Sequence, residues 1–366
     1  MNIETLHQIG LVFQKDITNS KALNLLNELV ENLTNLINQP QQPAFQQNVS
    51  NIRINLRNAL NTSTMNAYSP YWKQVLDEIG FKDLRGNELG NRIEQIFLQN
   101  SITPSIVLQE ISNIQGSLSK RYNALASLVK NFQVLGIGKA ELNNAESEMA
   151  VMIPRAAVKE KIDYFIKELE EIKRIVSDFN ELALGSRPEI ELKTIASSEY
   201  QILLNILPVT ATCLIISIEK IVKIYKDILD IRKAHKELKD KGVPAENLAG
   251  VEDYANKRME EGIAEGVREL LSSFGQDIAP GRRKEMEISL KYSMNKLSNR
   301  IDKGFNFDIK MRLDEKKADA AEQGEPESGK NSEYYKTIEE KSKELEFLKL
   351  SGDNILSLPE SDKKDA

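Results

Sequence analysis

The strongest constraint on this chain is a set of three apolar runs spaced at threes and fours, each sustained far longer than a compact domain needs. After Thr103-Pro104 come Val107, Ile111, Ile114, Leu118, Tyr122, Leu125, Val129 and Phe132, and the run breaks at Gly136 and Gly138. Val158, Ile162, Phe165, Leu169, Ile172, Val176 and Phe179 repeat the rhythm up to Gly185. Beyond Pro208, Leu214, Ile218, Ile221, Tyr225, Ile228, Arg232, His235 and Leu238 do so again, with a second stripe at Ile215, Val222 and Leu229. This near-heptad spacing predicts amphipathic, coiled-coil-like helices of about 30 residues, roughly 45 Å each at 1.5 Å per residue.

Period-two segments are few and short. Met149, Val151 and Ile153 alternate with Ala150 and Met152; Ile190, Leu192 and Thr194 alternate with charges; Tyr200 to Ile206 is apolar on both faces. The cleanest alternation sets Phe305, Phe307, Ile309, Met311 and Leu313 against Asn306, Asp308, Lys310 and Arg312. A seven-residue strand spans about 23 Å, so each long helix overshoots any such sheet and must pack on other helices. The fold class that follows is α+β, predominantly α-helical, with a small sheet at one end of long helices.

Composition divides the chain into three regions. Residues 1–100 carry 16 Asn and 10 Gln against 17 charged residues, with amphipathic helices expected over 20–38, around 52–60, from the Ser69 cap and Pro70 onward, and over 92–100. Residues 101–313 form the expected main unit, a long-helix bundle or stalk with strands near 148–153, 189–206 and 305–313. Residues 314–366 begin with an acidic, polar stretch that cannot bury a core, so a disordered tail is expected, with a short helix near 333–350.

Chemical handles are scarce. Of 366 residues one is Cys and two are His, so a disulfide framework or a structural zinc site is not expected, nor are a cofactor, a metal or a catalytic residue. Cys213 sits in an apolar run that favours the thiol, and His7 and His235 each stand on a helix with no second imidazole nearby in sequence. Gly136-Ile137-Gly138-Lys139 lacks the spacing and the Ser or Thr of a phosphate loop and reads as a helix stop. Asp227 and Asp230 share a helix face as ordinary surface charges do. Gly262 and Gly266 mark a close helix crossing.

Two segments carry most of the functional weight. Residues 202–218 run 17 positions without a charge, short of the roughly 20 a membrane-spanning helix requires and split by Pro208, so a buried strand feeding a buried helix is the expected reading. Residues 281–303 hold seven basic and three acidic residues; Arg282, Arg283, Lys284 and Lys291 are candidate contacts for an anion or an acidic partner, against the alternative of a solvated basic face. The formal charge of −6 and the lack of a base-reading motif argue against sequence-specific nucleic-acid binding.

The expectation is a non-catalytic, cytoplasmic helical interaction or scaffold protein. It would self-associate as a homo-oligomer or dock another protein through a seam of Leu214, Ile218, Ile221, Tyr225 and Ile228. The cytoplasm is expected because Glu4 and the absence of a basic start argue against a secretory signal. Two alternatives stand beside this reading: a membrane-inserting helical pore-former or membrane-binding protein using 202–218, and an enzyme using carboxylates or Lys on an unknown substrate.

Overall fold

A computed structural model describes residues 3–139, 142, 146–196, 200–244, 248–276, 278–312, 326–345, 347–348, 350 and 353–361. The chain divides into two compact units, Met1–Glu141 and Leu142–Ala366. Eleven α-helices and one four-stranded antiparallel sheet are found among the described residues.

The first unit is helical throughout: α1 (Ile3–Ser20), α2 (Ala22–Asn38), α3 (Pro43–Asn61), α4 (Pro70–Glu78), α5 (Gly86–Gln99) and α6 (Pro104–Val134). Helix α2 buries Leu26, Leu29 and Leu33 against α3 and α6, and α1 lies along α6. Ser69 caps α4 by accepting from the amide of Trp72, with Pro70 in the first turn where its missing N–H leaves no bond unmade. Asp16 of α1 pins the turn after α3, accepting from Ser63 Oγ at 2.7 Å and from the amide of Thr64 at 2.6 Å.

The long apolar run of 107–132 is helical as expected, and Gly136, at φ 69°, ends it in the left-handed conformation, with Ile137 N–H returning to Phe132 O at 2.9 Å. This helix, however, belongs with the N-terminal helices. The expected boundary near residue 100 is therefore corrected to about 141, and only two of the three long helices stand with the sheet. The reason is physical: heptad spacing shows that a helix has an apolar partner but carries no label saying which partner.

The second unit contains the sheet β1 (Ser147–Ile153), β2 (Glu191–Ala196), β3 (Tyr200–Ile206) and β4 (Asn306–Met311) in the order β2-β3-β1-β4. Register places Met149 opposite Leu204 and Ile309, and Val151 opposite Ile202 and Phe307, building one apolar face. Helix α8 (Pro208–Asp240) packs on β1 and β4, and α7 (Ile162–Leu184), α9 (Ala249–Phe274) and α10 (Pro280–Asp302) pack with α8, their apolar stripes sharing one core with that face. The uncharged 202–218 segment is strand β3 followed by the buried start of α8, as its proline suggested.

Helix α11 (Pro326–Glu344) packs on α8 and β4, and Ser342 Oγ donates to the carbonyl of Ile309 at 2.8 Å. It answers the helix expected near 333–350. The expected disorder of 314–366 falls in part on 314–325 and 362–366, which lie outside the described residues. Residues 353–361 differ from a solvated tail: Ile355, Leu356 and Leu358 are buried in the core of the second unit.

Candidate functional site

Helix α10 explains how the last residues are held. Met286, Leu290, Met294, Leu297 and Ile301, at steps of four and three, form its apolar stripe and are buried. Asn295, Asn299 and Asp302 stand at steps of four and three on a neighbouring face and are buried too. Burying amide and carboxylate groups is costly unless each finds a partner, so this polar stripe has to be read by its bonds.

Those bonds go to backbone. Asp302 Oδ2 accepts from the amides of Ile355 and Leu356, both at 2.8 Å. Asn256 of α9 accepts from the amide of Ser357 at 2.8 Å. Asn299 accepts from Leu358 N–H at 3.0 Å and donates to Leu358 O at 2.9 Å, a two-point contact like that of a neighbouring strand. Asn295 donates to Pro359 O at 2.6 Å. Four consecutive amides and two carbonyls of one extended segment are thus satisfied by side chains of α9 and α10. The segment runs antiparallel to α10: from Ile355 to Pro359 it passes from Asp302 to Asn295, about 10 Å of helix covered by roughly 13 Å of extended chain.

Beneath the segment lies a buried polar triad. Arg232 of α8 donates to Asp302 Oδ1 and to Tyr225 Oη, at 2.7 and 2.6 Å, and Tyr225 donates to Asp302. Burial pushes the Asp302 carboxyl above the usual carboxylate range, outweighing the hydrogen bonds and the Arg232 charge that pull it down. The Tyr225 phenol is pushed up as well, first by burial and then by Asp302. At the far end Arg300, held by Glu168 at 2.8 Å, reaches Glu360 at 3.5 Å; at the near end Asp353 pairs with Lys239 of α8. The groove therefore reads main chain at its centre, apolar side chains at 355, 356 and 358, and a negative charge after the proline.

The seam residues Leu214, Ile218, Ile221, Tyr225 and Ile228 are all no more than 1% exposed and pack inside the second unit. Arg282 pairs with Glu181 and Glu285, and Arg283 donates to Leu271 O and Gly275 O, closing the end of α9. Lys284 and Lys291 are exposed. The solvated basic face expected for 281–303 holds only for its first half: Lys296 and Arg300 are buried, paired with Glu171 and Glu168 at 2.7 and 2.8 Å. Burial pushes the Glu181 carboxyl up, but hydrogen bonds from Arg282 and Arg187 outweigh it and hold it below the usual range.

Sequence reasoning missed the groove. Its signal was the 4,3 spacing of Asn295, Asn299 and Asp302 in step with the apolar stripe, together with an apolar island, Ile355-Leu356-Ser357-Leu358, inside a polar tail.

The remaining candidate features serve the core. Burial raises the Cys213 thiol, His7 Nδ1 lies 3.0 Å from the carbonyl of Ile137, and His235 Nε2 lies 3.1 Å from Glu252. A shallow surface depression is lined by Ile218, Val222, Ile301, Phe305, Phe307 and Leu348 and carries no ionisable side chain. Among the described residues, no three His, Cys, Asp or Glu side chains gather as a metal ligand set, and no helix is long and apolar enough to cross a membrane. The chain matches no protein-family model, no curated protein and no solved structure.

Proposed function

We propose that this is a non-catalytic, cytoplasmic interaction protein whose second unit binds an extended peptide in the groove between α9 and α10, occupied here by its own residues 353–361. The observation that carries the reading is the main-chain recognition by Asn256, Asn295, Asn299 and Asp302. Side chains that bond backbone groups accept any sequence whose apolar residues fit, which is how a protein takes a peptide as a ligand. A segment needed only as filler would not require Asn295, Asn299 and Asp302 to be desolvated for its main chain.

The expected scaffold role is kept and its surface is moved. The seam on α8 supports the groove from below through Tyr225, while the main-chain contacts to the segment come from α9 and α10.

The reading is tested by placing a protease site between Gly352 and Asp353 and nicking the folded chain. A labelled peptide of residues 353–361 is expected to exchange into the nicked protein saturably, and Asn299→Ala is expected to weaken it by about tenfold or more, the loss of two buried main-chain bonds. If the peptide separates from a still-folded protein and does not return, the reading is wrong.

A further inference from the structure

We propose that the trans occupant of this groove is the C-terminal segment of a second copy, so that two chains associate by reciprocal exchange of residues 353–361. The inference rests on the peptide-groove reading and adds the identity of the ligand.

Fit is the first argument. The segment that satisfies Asp302, Asn299, Asn295 and Asn256 is this chain's own, so a second copy brings the same four amides, the same three apolar side chains and the same Glu360 for Arg300. The contacts that residues 353–360 make in the closed monomer are all available in the exchanged pair, and the opposing term is the entropy of bringing two chains together.

Reach is the second argument, and it favours exchange over closure. Glu344, the last residue of α11, pairs with Lys223, and Asp353 pairs with Lys239, both lysines on α8. Sixteen residues of α8 separate those anchors, about 24 Å along the helix. The nine residue steps from Glu344 to Asp353 can cover at most roughly 30 to 32 Å. The connector is therefore short for the path it follows, and Leu345, Leu348 and Leu350 within it pack on the core, so it is constrained when it closes on its own chain; short connectors under such constraint promote exchange between copies.

The segment is also built to leave. Its anchor at the Asp353 end is exposed, the Lys239 and Asp353 side chains being 58% and 68% accessible, and at the other end Glu360 is half-buried against the buried Arg300. Its hold is three buried apolar side chains and a row of individual hydrogen bonds rather than a shared sheet, so its release leaves the hydrogen bonds within α7 to α10 and within the sheet intact.

The test uses the full chain, whose mass is 41.4 kDa. Two variants bracket it, one lacking Lys349, Ser351 and Gly352, whose six remaining steps reach at most roughly 20 to 22 Å, and one with a flexible Gly-Ser insertion after Gly352. A short flexible tether supplies an effective concentration on the order of millimolar, and shortening it below the span abolishes closure. The shortened chain is expected to run at twice the monomer mass in light scattering, and the lengthened chain at the monomer mass. Wild-type chains labelled with donor and acceptor dyes are expected to transfer energy as concentration rises, and excess peptide 353–361 is expected to abolish the transfer.

A shortened variant that stays monomeric overturns the exchange, as does energy transfer that neither the peptide nor Asn299→Ala affects. Should the shortened variant fail to fold, the wild-type mixing experiment decides alone, and absence of transfer up to about millimolar concentration overturns the proposal. Peptide binding to the nicked chain without any dimer removes the exchange and leaves the groove intact, whereas no peptide binding removes both.

Discussion

Asn299 bonds both main-chain groups of Leu358, a residue 59 positions later in the chain. Replacing it with Ala leaves a buried N–H and a buried C=O without partners, each a desolvated polar group. We predict a loss of about 1–3 kcal/mol in urea-midpoint stability, accompanied by faster proteolysis between residues 353 and 361. Glu181 behaves differently because its contribution depends on charge. Its folded-state value lies below the usual carboxylate range, so the stability it supplies is present at neutral pH and is lost as pH falls through that lowered value. Glu181→Gln should therefore destabilise at pH 7 and make little difference well below the carboxylate range, a convergence that urea titrations at the two pH values would show. Asp302, raised by burial, has the opposite sign: its unfavourable contribution is relieved as pH falls through its raised folded value. At this scale the sequence was only partly legible. Cys213 in the core and Ser69 as a cap follow from their immediate neighbours, whereas the partners of Asn299 and Asp302 are set by residues 50 or more positions away.

Elements were easier to read than partners. Strands, proline-led helix starts and glycine stops depend on local chemistry, and β1, β3, β4, α4, α6 and α8 lie close to where the pattern puts them. The glycine pair on α9 shows how a packing demand reaches back into sequence. A Cβ at Gly262 would lie 2.2 Å from Ile224 Cδ1, and one at Gly266 would lie 3.2 Å from Lys220 Cδ, so α8 can approach α9 closely only where side chains are missing. Gly116, on the exposed side of α6, has nothing within 4 Å. Gly116→Ala is thus expected to stabilise by about 0.5–1 kcal/mol, the gain in helix propensity alone. Gly262→Val is expected to destabilise by roughly 1–3 kcal/mol, since its added methyls must displace the buried Ile224. Thermal midpoints of the two variants would separate propensity from packing within one protein.

At the scale of the molecule, the boundary was the least legible feature. The Asn- and Gln-rich composition changes near residue 100, yet the unit closes near 141 because α6 buries its stripe on the helices before it. Each unit owns a core of its own, so fragments 1–141 and 142–366 are predicted to fold separately, with two resolved thermal transitions in the full chain. Loss of helical signal in either isolated fragment would count against that division. Composition also described the tail as unable to form a core by itself; what it does not reveal is that a short apolar piece can borrow a core made earlier in the chain.

That borrowing sets an order of events during synthesis. The first unit is complete once residue 141 has left the ribosome, and its helices have every partner they need. The second unit follows over the remaining 225 residues (366 − 141), about 11 to 45 s of translation at 5–20 residues per second. Once Asp302 has been made, the faces of Asn295, Asn299 and Asp302 await a segment that begins 51 residues later at Asp353, about 3 to 10 s more of translation. If copies exchange residues 353–361 as proposed, this is the stage at which a growing chain's groove stands empty and open to that segment of another copy.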